Sequence, residues 1–308
     1  MLVKNTYIGR FAPSPTGPLH FGSLVAAVAS FLEAKSREGL WLLRMEDLDQ
    51  PREVPGAADS ILKTLEVFGF KWDGAVMYQS QRQQAYAAAL HHLQQDHFVY
   101  PCACTRKEIA DSAIHGIDGL IYPGKCRDGL LSGQHARAWR IRAEATITFN
   151  DAIQGSMSQD LARDIGDFVL KRADGLFAYQ LAVVVDDAEQ GISHIVRGAD
   201  LLDSTPRQIY LQQKLGFRQP QYAHIPVATN AQGEKLSKQT LALALNANEA
   251  SKELWQALYF LGQHPPAALR DSPLSELWRW AYENWNLSYV AKTRSGQDID
   301  EIQTGAKP

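Results

Sequence analysis

The sequence predicts an α/β protein with a parallel sheet. It opens with a β-type run at Tyr7–Phe11, a turn rich in proline and glycine, an amphipathic helix at Gly22–Arg37 and a buried strand at Leu40–Met45. A strand, a helix and a strand in this order form the building unit of parallel sheets. The segment Tyr179–Asp186 is almost continuously apolar, which is typical of a strand buried inside such a sheet. After Thr240 the pattern is helical only.

The remaining predicted elements are short. Helices are predicted at Gly56–Phe68, Arg82–Gln95, Thr205–Leu215, Leu254–Leu261 and Leu274–Trp285, and strands at Trp139–Arg142, Thr146–Asn150, Phe168–Arg172 and Ile225–Ala228. The segment Tyr100–Asp128 contains all three cysteines, several glycines and little periodicity, and we interpret it as an inserted module. The polar, aperiodic segment Ser288–Pro308 predicts a frayed tail.

The composition is that of a globular protein of moderate size. The chain has 308 residues, of which 45% are hydrophobic and 21% charged, and this excludes disorder over most of its length. A net charge of −3, without long blocks of one sign, argues against non-specific nucleic-acid binding but allows a local basic face for one RNA. No apolar stretch approaches the length of a membrane helix, and Met1–Tyr7 lacks the apolar run of a secretory signal. We therefore expect a cytoplasmic enzyme without membrane contact.

The first motif with chemical content is the proline-stiffened loop that precedes the first helix. It brings His20 and Gly22 to the helix N-terminus, where free backbone N–H groups and a partial positive charge suit a phosphate. By itself this pattern is more typical of a proline-rich turn that caps a helix. The second motif is Lys235-Leu-Ser-Lys238, in which two lysines flank Ser237 and are suited to clamp a polyphosphate. By itself it fits a solvated surface loop.

In this order, the two motifs resemble the two signatures of the class I aminoacyl-tRNA synthetases. The form Arg10-Phe-Ala-Pro-Ser-Pro-Thr-Gly is similar to the glutamyl branch, and further similar blocks lie at Arg44–Asp49, Leu176–Ala182, Val184–Asp187 and Ile195–Asp200. The resemblance implies a class I, Rossmann-type parallel sheet, and ATP as a substrate together with Mg²⁺. It implies catalytic roles for His20, Lys235 and Lys238, and ATP contacts from these three together with Gly22 and Ser237. It also implies amino-acid contacts from Arg10, Phe11, Ala12, Pro13, Ser14, Glu46, Tyr179 and Arg197.

The charges of these residues favour L-glutamate as the amino acid. Glutamate has two carboxylates and one ammonium, which need two cationic contacts and one anionic contact. Arg10, Arg197 and Glu46 lie on blocks expected to converge at the carboxyl ends of the strands, and arginine binds carboxylates through two nitrogens. A structural ion pair is the alternative for Arg197 and Glu46. Glutamine, with a neutral amide, has less use for the second arginine.

The cysteines indicate a metal site. Cys102, Cys104 and Cys126 are clustered in a chain expected to be cytoplasmic, where metal binding is more common than a disulfide. A structural Zn²⁺ takes four ligands, and His115, Tyr122, Asp118 and Asp128 are candidates for the fourth. Three free buried cysteines are the alternative. The resemblance implies Tyr122, because the spacing is similar to the zinc module of short glutamyl-synthetase paralogues.

The length after the second signature suggests a particular branch. Residues 239–308 have room for a short helical subdomain and a tail, and we expect no anticodon-reading region. This resembles the glutamyl-Q tRNA(Asp) synthetases, truncated paralogues that activate glutamate with ATP and attach it to the queuosine base at the wobble position of tRNA(Asp). The resemblance thus implies queuosine-containing tRNA(Asp) as a partner, and we expect a monomer. The alternatives are a truncated glutamyl-tRNA synthetase that charges the 3′ end and a non-catalytic regulator that binds glutamate or adenylate.

We divide the chain accordingly. Residues 1–99 and 176–240 are expected to form the two halves of the Rossmann-type domain, and residues 100–175 the inserted zinc-containing module. Residues 241–287 are expected to form a short C-terminal helical subdomain, and residues 288–308 the tail.

Overall fold

A computed structural model of the chain describes residues 6–110, 114–116, 119–230, 235–236 and 243–297. The strands are β1 (Ile8–Phe11), β2 (Leu40–Met45), β3 (Met77–Tyr78), β4 (Val99–Cys102), β5 (Ile114–Gly116), β6 (Gly119–Ile121), β7 (Ala138–Ile141), β8 (Thr146–Asp151), β9 (Gly155–Asp160), β10 (Phe168–Lys171), β11 (His194–Gly198), β12 (Gln221–Ile225), β13 (Val227–Thr229) and β14 (Ser295–Gln297). The helices are α1 (Phe21–Lys35), α2 (Ala57–Val67), α3 (Gln83–Gln95), α4 (Arg106–Ala110), α5 (Leu161–Asp164), α6 (Tyr179–Glu189), α7 (Thr205–Leu215), α8 (Ala250–Phe260) and α9 (Leu274–Asn284).

Parallel strands form the centre of the molecule, as predicted. β1, β2 and β3 pair in parallel, and β11 pairs in parallel with β12, which in turn lies beside β8. Ser193, just before β11, joins the two groups, because its backbone N–H donates to the Ile8 carbonyl at 2.9 Å and its Oγ accepts from the Ile8 N–H at 2.8 Å. β8 and β9 form an antiparallel hairpin at the outer side.

The prediction of a strand at Tyr179–Asp186 was wrong, because this segment lies in helix α6. Every residue from Leu181 to Asp187 is buried. A helix that is covered on all sides gives the same continuous apolar run as a buried strand, so the pattern alone does not separate them. The strand predicted at Ile225–Ala228 is divided at Pro226 into the end of β12 and the start of β13. Proline has no N–H to continue a ladder.

The C-terminal part is helical as predicted, but part of the tail is ordered against the sheet. α8 and α9 pack on α1, and the buried Val290 belongs to the same core. Ser295–Gln297 forms β14, which pairs in parallel with β13. The prediction of a frayed tail was therefore wrong for residues 288–297. Residues 298–308 lie outside the described residues.

The cysteine-containing segment is attached through a separate antiparallel sheet. In that sheet β7 lies between β4 and β10, while β5 and β6 form a separate two-stranded sheet. The proposed division at 100–175 stays a prediction, and the structure adds that β8, inside that range, lies beside the parallel strand β12. Within the described ranges, no helix combines the length and the apolar character needed to cross a membrane.

Candidate active site

A cavity of about 710 Å³ opens at the carboxyl ends of β1, β2 and β11. Most of the residues predicted from the sequence line it: Arg10, Phe11, Ala12, Pro13, Ser14, His20, Gly22, Glu46, Tyr179, Arg197 and Lys235. Arg10, Glu46 and Arg197 thus line the same cavity, and their roles stay predictions. Ser237 and Lys238 lie outside the described residues.

The loop before α1 is fixed by backbone hydrogen bonds at both ends. The Glu46 N–H donates to the Pro13 carbonyl at 3.0 Å, and the Leu245 N–H donates to the Leu19 carbonyl at 3.0 Å. His20 is the N-cap of α1, where its Nδ1 accepts from the Ser23 N–H at 3.4 Å. His20 therefore caps the helix and lines the cavity at the same time, so the two interpretations of this motif are compatible.

Gly22 lies where the two signatures meet, and a side chain there would crowd the His20 ring. A Cβ at this position would lie 3.2 and 3.3 Å from ring atoms of His20 and 3.5 Å from the Leu236 carbonyl oxygen. The Leu236 N–H donates to the Ala228 carbonyl at 2.8 Å, which ties this part of the second motif to β13. The Lys235 Nζ lies 2.5 Å from the Asp200 Oδ2, also at the cavity.

Arg10 belongs to a buried network of charges. Its Nε donates to the Asp187 Oδ1 at 3.1 Å, and the Arg44 Nη2 donates to the same oxygen at 2.7 Å. Burial disfavours ionisation of Asp187, but Arg10 and Arg44 outweigh it and hold the pKa of Asp187 below its usual value. The Arg44 Nη2 also lies 3.6 Å from Glu46. Burial raises the pKa of Glu46 to about 7, although Arg44 and Arg10 oppose the shift.

Arg197 is held by neutral groups instead. Its Nε donates to the His224 Nε2 at 3.0 Å and its Nη2 to the Thr205 Oγ1 at 2.8 Å. Its Nη1 is buried and has no hydrogen-bond partner among the described residues. Burial lowers the pKa of His224 to about 4, although Asp151 opposes the shift, so this ring is neutral near pH 7. Across the described part of the chain, no carboxylate pairs directly with Arg197.

Sequence reasoning missed the residues that hold these arginines. Arg44 and Asp187 lie in blocks that carried the resemblance, but their ion pair was not predicted. The contacts of His224, Thr205 and Asp151 gave no local signal, because Asp151 and His224 are far apart in the chain and meet only through the pairing of β8 with β12.

The three cysteines lie together, as predicted. The Sγ atoms of Cys102, Cys104 and Cys126 are within 4.8 Å of one another, and such a cluster is able to bind a metal ion. The Tyr122 hydroxyl lies 3.5 Å from the Cys102 Sγ and 3.4 Å from the Cys104 Sγ. Asp128 does not belong to the cluster. The His115 side chain and Asp118 lie outside what the structure describes.

Comparison with known proteins identifies the family. Residues 8–258 match the family model "tRNA synthetases class I (E and Q), catalytic domain". The chain belongs to this family of class I tRNA synthetases. It is 61% identical to the glutamyl-Q tRNA(Asp) synthetase of Dechloromonas aromatica over 94% of this chain and 97% of that protein. It is 57% identical to the glutamyl-Q tRNA(Asp) synthetase of Neisseria meningitidis serogroup C / serotype 2a over 93% of this chain and 98% of that protein. These relatives confirm the predicted branch of the family, and the prediction of an enzyme of the ligase class is likewise confirmed.

A solved structure agrees with the fold. The chain is similar to a glutamate tRNA ligase from Elizabethkingia meningosepticum with a TM-score of 0.79, at 24% identity, over 96% of this chain and 68% of that one. The predicted class I α/β fold with a parallel sheet is therefore confirmed.

Proposed function

We propose that the chain activates L-glutamate with ATP and transfers the glutamyl group to the queuosine base at the wobble position of tRNA(Asp). The relatives of 57–62% identity are named for this activity, which favours it over ordinary charging of a tRNA 3′ end. The lining of one cavity by both signatures supports catalysis over a purely regulatory role.

The observation that carries the choice of glutamate is the charge of Arg197. A buried cation is costly unless an anion or a sufficient set of hydrogen bonds compensates it. Arg197 has neutral partners and a buried Nη1 without a partner among the described residues, and it lines the cavity. A carboxylate of glutamate in this cavity would supply the missing charge.

The other lining residues complete the amino-acid site. Glu46 is placed to pair with the substrate ammonium, and Arg10 adds a second cation for a carboxylate. The Tyr179 side chain, at the first residue of α6, and Ser14 offer hydroxyls. Phe11, Ala12 and Pro13 form the adjoining wall. This set of one anion and two cations matches the three charges of glutamate.

Activation takes place next to the two signatures. An oxygen of the glutamate α-carboxylate attacks the α-phosphorus of ATP, the bond to the bridging oxygen breaks, and pyrophosphate leaves. His20, Gly22 and Ser237 contact the nucleotide, while His20, Lys235 and Lys238 stabilise the charge that develops on the phosphates. Mg²⁺ bound to ATP supplies further positive charge. Positioning and electrostatics provide the rate, since the protein contributes no covalent nucleophile.

Transfer follows from the mixed anhydride. A hydroxyl of the queuosine cyclopentene-diol attacks the activated carbonyl carbon, AMP leaves, and the hydroxyl proton is released. The product is an ester on the modified base. With a net charge of −3, the chain is suited to contact with one tRNA rather than to general binding of RNA.

For the cysteine cluster we propose one structural Zn²⁺ held by Cys102, Cys104, Cys126 and Tyr122. On a tetrahedral Zn²⁺ with Zn–S bonds near 2.3 Å and a Zn–O bond near 2.0 Å, a sulfur and an oxygen ligand are about 3.5 Å apart. The contacts of 3.4 and 3.5 Å that the Tyr122 hydroxyl makes with Cys104 and Cys102 approach this spacing. The Cys126 N–H donates to the Tyr122 hydroxyl at 2.8 Å, and this bond favours a phenolate ligand. A cytoplasmic monomer is part of the same proposal.

The test of the function uses two assays. Glutamate-dependent exchange of pyrophosphate into ATP without tRNA is expected, and its absence would refute the activation step. Labelled glutamate is then offered with ATP to tRNA pools from queuosine-proficient and queuosine-deficient cells. Label is expected only in the first pool, and equal labelling of both would favour charging of the 3′ end.

A further inference from the structure

Arg197 and the carboxylate that would balance its charge are separated by a histidine. The His224 Nδ1 lies 2.6 Å from the Asp151 Oδ2, and the His224 Nε2 accepts from the Arg197 Nε at 3.0 Å. His224 and Asp151 are almost completely buried. The three side chains come from β8, β12 and β11, which are neighbours in the sheet.

Hydrogen bonding fixes the ring in one tautomer. The other carboxylate oxygen of Asp151, Oδ1, accepts the N–H groups of Ile153, Gln154 and His224 at 2.9 to 3.1 Å. These bonds favour the ionised carboxylate, so that the Oδ2 accepts and the His224 Nδ1 carries the proton. The Nε2 of the ring then presents its lone pair to the Arg197 Nε–H. The Thr205 Oγ1 also lies 3.1 Å from this nitrogen, but its hydroxyl has the Leu201 carbonyl as an acceptor at 3.2 Å.

This arrangement orients Arg197 without neutralising it. Asp187 takes direct hydrogen bonds from both Arg10 and Arg44, and its charge is used within the protein. Asp151 reaches Arg197 only through an imidazole, so its attraction for the guanidinium is weakened by the intervening distance. The guanidinium is thus held in place while its charge stays available to a substrate carboxylate.

We propose that His224, oriented by Asp151, is a positioning residue that sets the direction of Arg197 and thereby the affinity for the glutamate carboxylate. This inference rests on the proposed function. It assigns a role in substrate selection to two residues that lie outside the residues lining the cavity.

Two substitutions at His224 separate positioning from packing. In His224→Gln, the amide oxygen can take the place of Nε2 and accept from Arg197. In His224→Asn, the shorter amide can take the place of Nδ1 but does not reach Arg197. Tyr222→Phe, on the same strand, is the matched control, because it removes a buried hydrogen bond to Gln212 without touching the hydrogen bonds of Arg197.

The readout is pyrophosphate exchange at varied glutamate and varied ATP. His224→Asn is expected to raise the KM for glutamate about tenfold or more, the size of one lost hydrogen bond to a charged group, with the KM for ATP unchanged. His224→Gln is expected to recover most of this loss, and Tyr222→Phe to show none of it. Equal effects of the Gln and Asn variants, or a parallel rise in the KM for ATP, would overturn the proposal.

A measurement on the unmodified protein covers the case in which the variants do not fold. Nitrogen-15 NMR of the labelled histidines is expected to show one neutral ring with a protonated Nδ1 that stays neutral at pH 6. A His224 ring with its proton on Nε2 would overturn the proposal. If the wild-type protein shows the expected ring but no glutamate-dependent exchange, then the proposed function fails and the geometry of the pair stands.

Discussion

Two buried arginines border the same cavity and differ in how their charge is balanced. Arg10 donates directly to Asp187, which it shares with Arg44, so its charge is partly compensated inside the protein. Arg197 donates to a neutral imidazole and a hydroxyl, so its charge is left for a ligand. The difference indicates that Arg10 mainly maintains the shape of the site, whereas Arg197 supplies most of the attraction for a substrate carboxylate.

The largest expected effect follows from removing the uncompensated charge. Arg197→Ala is expected to lower kcat/KM for glutamate by about a thousandfold, as expected for the loss of a two-point, charge-assisted contact. The measurement is pyrophosphate exchange, with Arg197→Lys as the variant that keeps the charge but loses the planar fork. An effect no larger than that of Arg10→Ala would contradict the distinction between the two arginines.

Asp187→Asn tests how much the protein depends on the anion that Arg10 and Arg44 share. The change leaves Arg10 and Arg44 without their shared anion in a buried place, and it is expected to lower the free energy of unfolding by about 3 kcal/mol. Chemical denaturation measures this loss. Asp174→Asn is a suitable control, because it breaks a pair with Arg172 at the surface, where we expect little change. Equal stability of the two variants would show that the buried network is not structurally important.

Lys238→Ala tests whether the nucleotide part of the site acts independently of the two arginines. Pyrophosphate exchange is expected to fall by about a hundredfold, the usual cost of losing one transition-state stabiliser, while glutamate binding is nearly unchanged. Calorimetric titration with glutamate provides the second measurement. Unchanged exchange would remove Lys238 from the catalytic group.

The smallest expected effect is a pH dependence of kcat/KM for glutamate, which comes from Glu46 and not from the groups that hold Arg197. Glu46 must be ionised to bind the substrate ammonium, and burial raises its pKa to about 7, so binding is lost as the pH falls through 7. Between pH 8 and pH 6, kcat/KM for glutamate is expected to fall by about tenfold. Because burial lowers the pKa of His224 to about 4, the ring that accepts from Arg197 stays neutral in this range. The slope should vanish in Glu46→Gln, and a slope that persists there would assign it to another group.

The sequence predicted the members of the site better than their roles. Arg10, Glu46, Tyr179 and Arg197 were chosen from motifs, and all four line the cavity. A structural ion pair was considered for Arg197 and Glu46. Glu46 does lie 3.6 Å from Arg44, but no carboxylate pairs with Arg197 among the described residues. The salt bridge of Arg10 with Asp187 was not predicted. Ion pairing depends on which side chains meet across the fold. Asp187 lies on α6, whereas its partners Arg10 and Arg44 lie on β1 and β2, so these side chains meet only in the tertiary fold.

The wrong prediction of a strand at Tyr179–Asp186 also arose because the sequence does not show which groups surround a segment in the fold. A run of leucine, alanine and valine shows that a segment is buried and leaves open whether it is a helix or a strand. The acidic pair that ends the run becomes informative only in the helix, where Asp186 accepts from the Gln79 and Tyr86 side chains and Asp187 from Arg10 and Arg44. Strand pairing would have directed these two neighbouring side chains to opposite faces of a sheet.

By itself, the sequence determined the family, the two signatures and the cysteine cluster, because these depend on residue types at short spacings. The tertiary structure alone decided which arginine has its charge compensated, and that His224 separates Arg197 from Asp151. The physical reason is that the energy of a buried charge is set by the groups around it in space. Those groups are supplied by strands and helices that lie far apart in the chain.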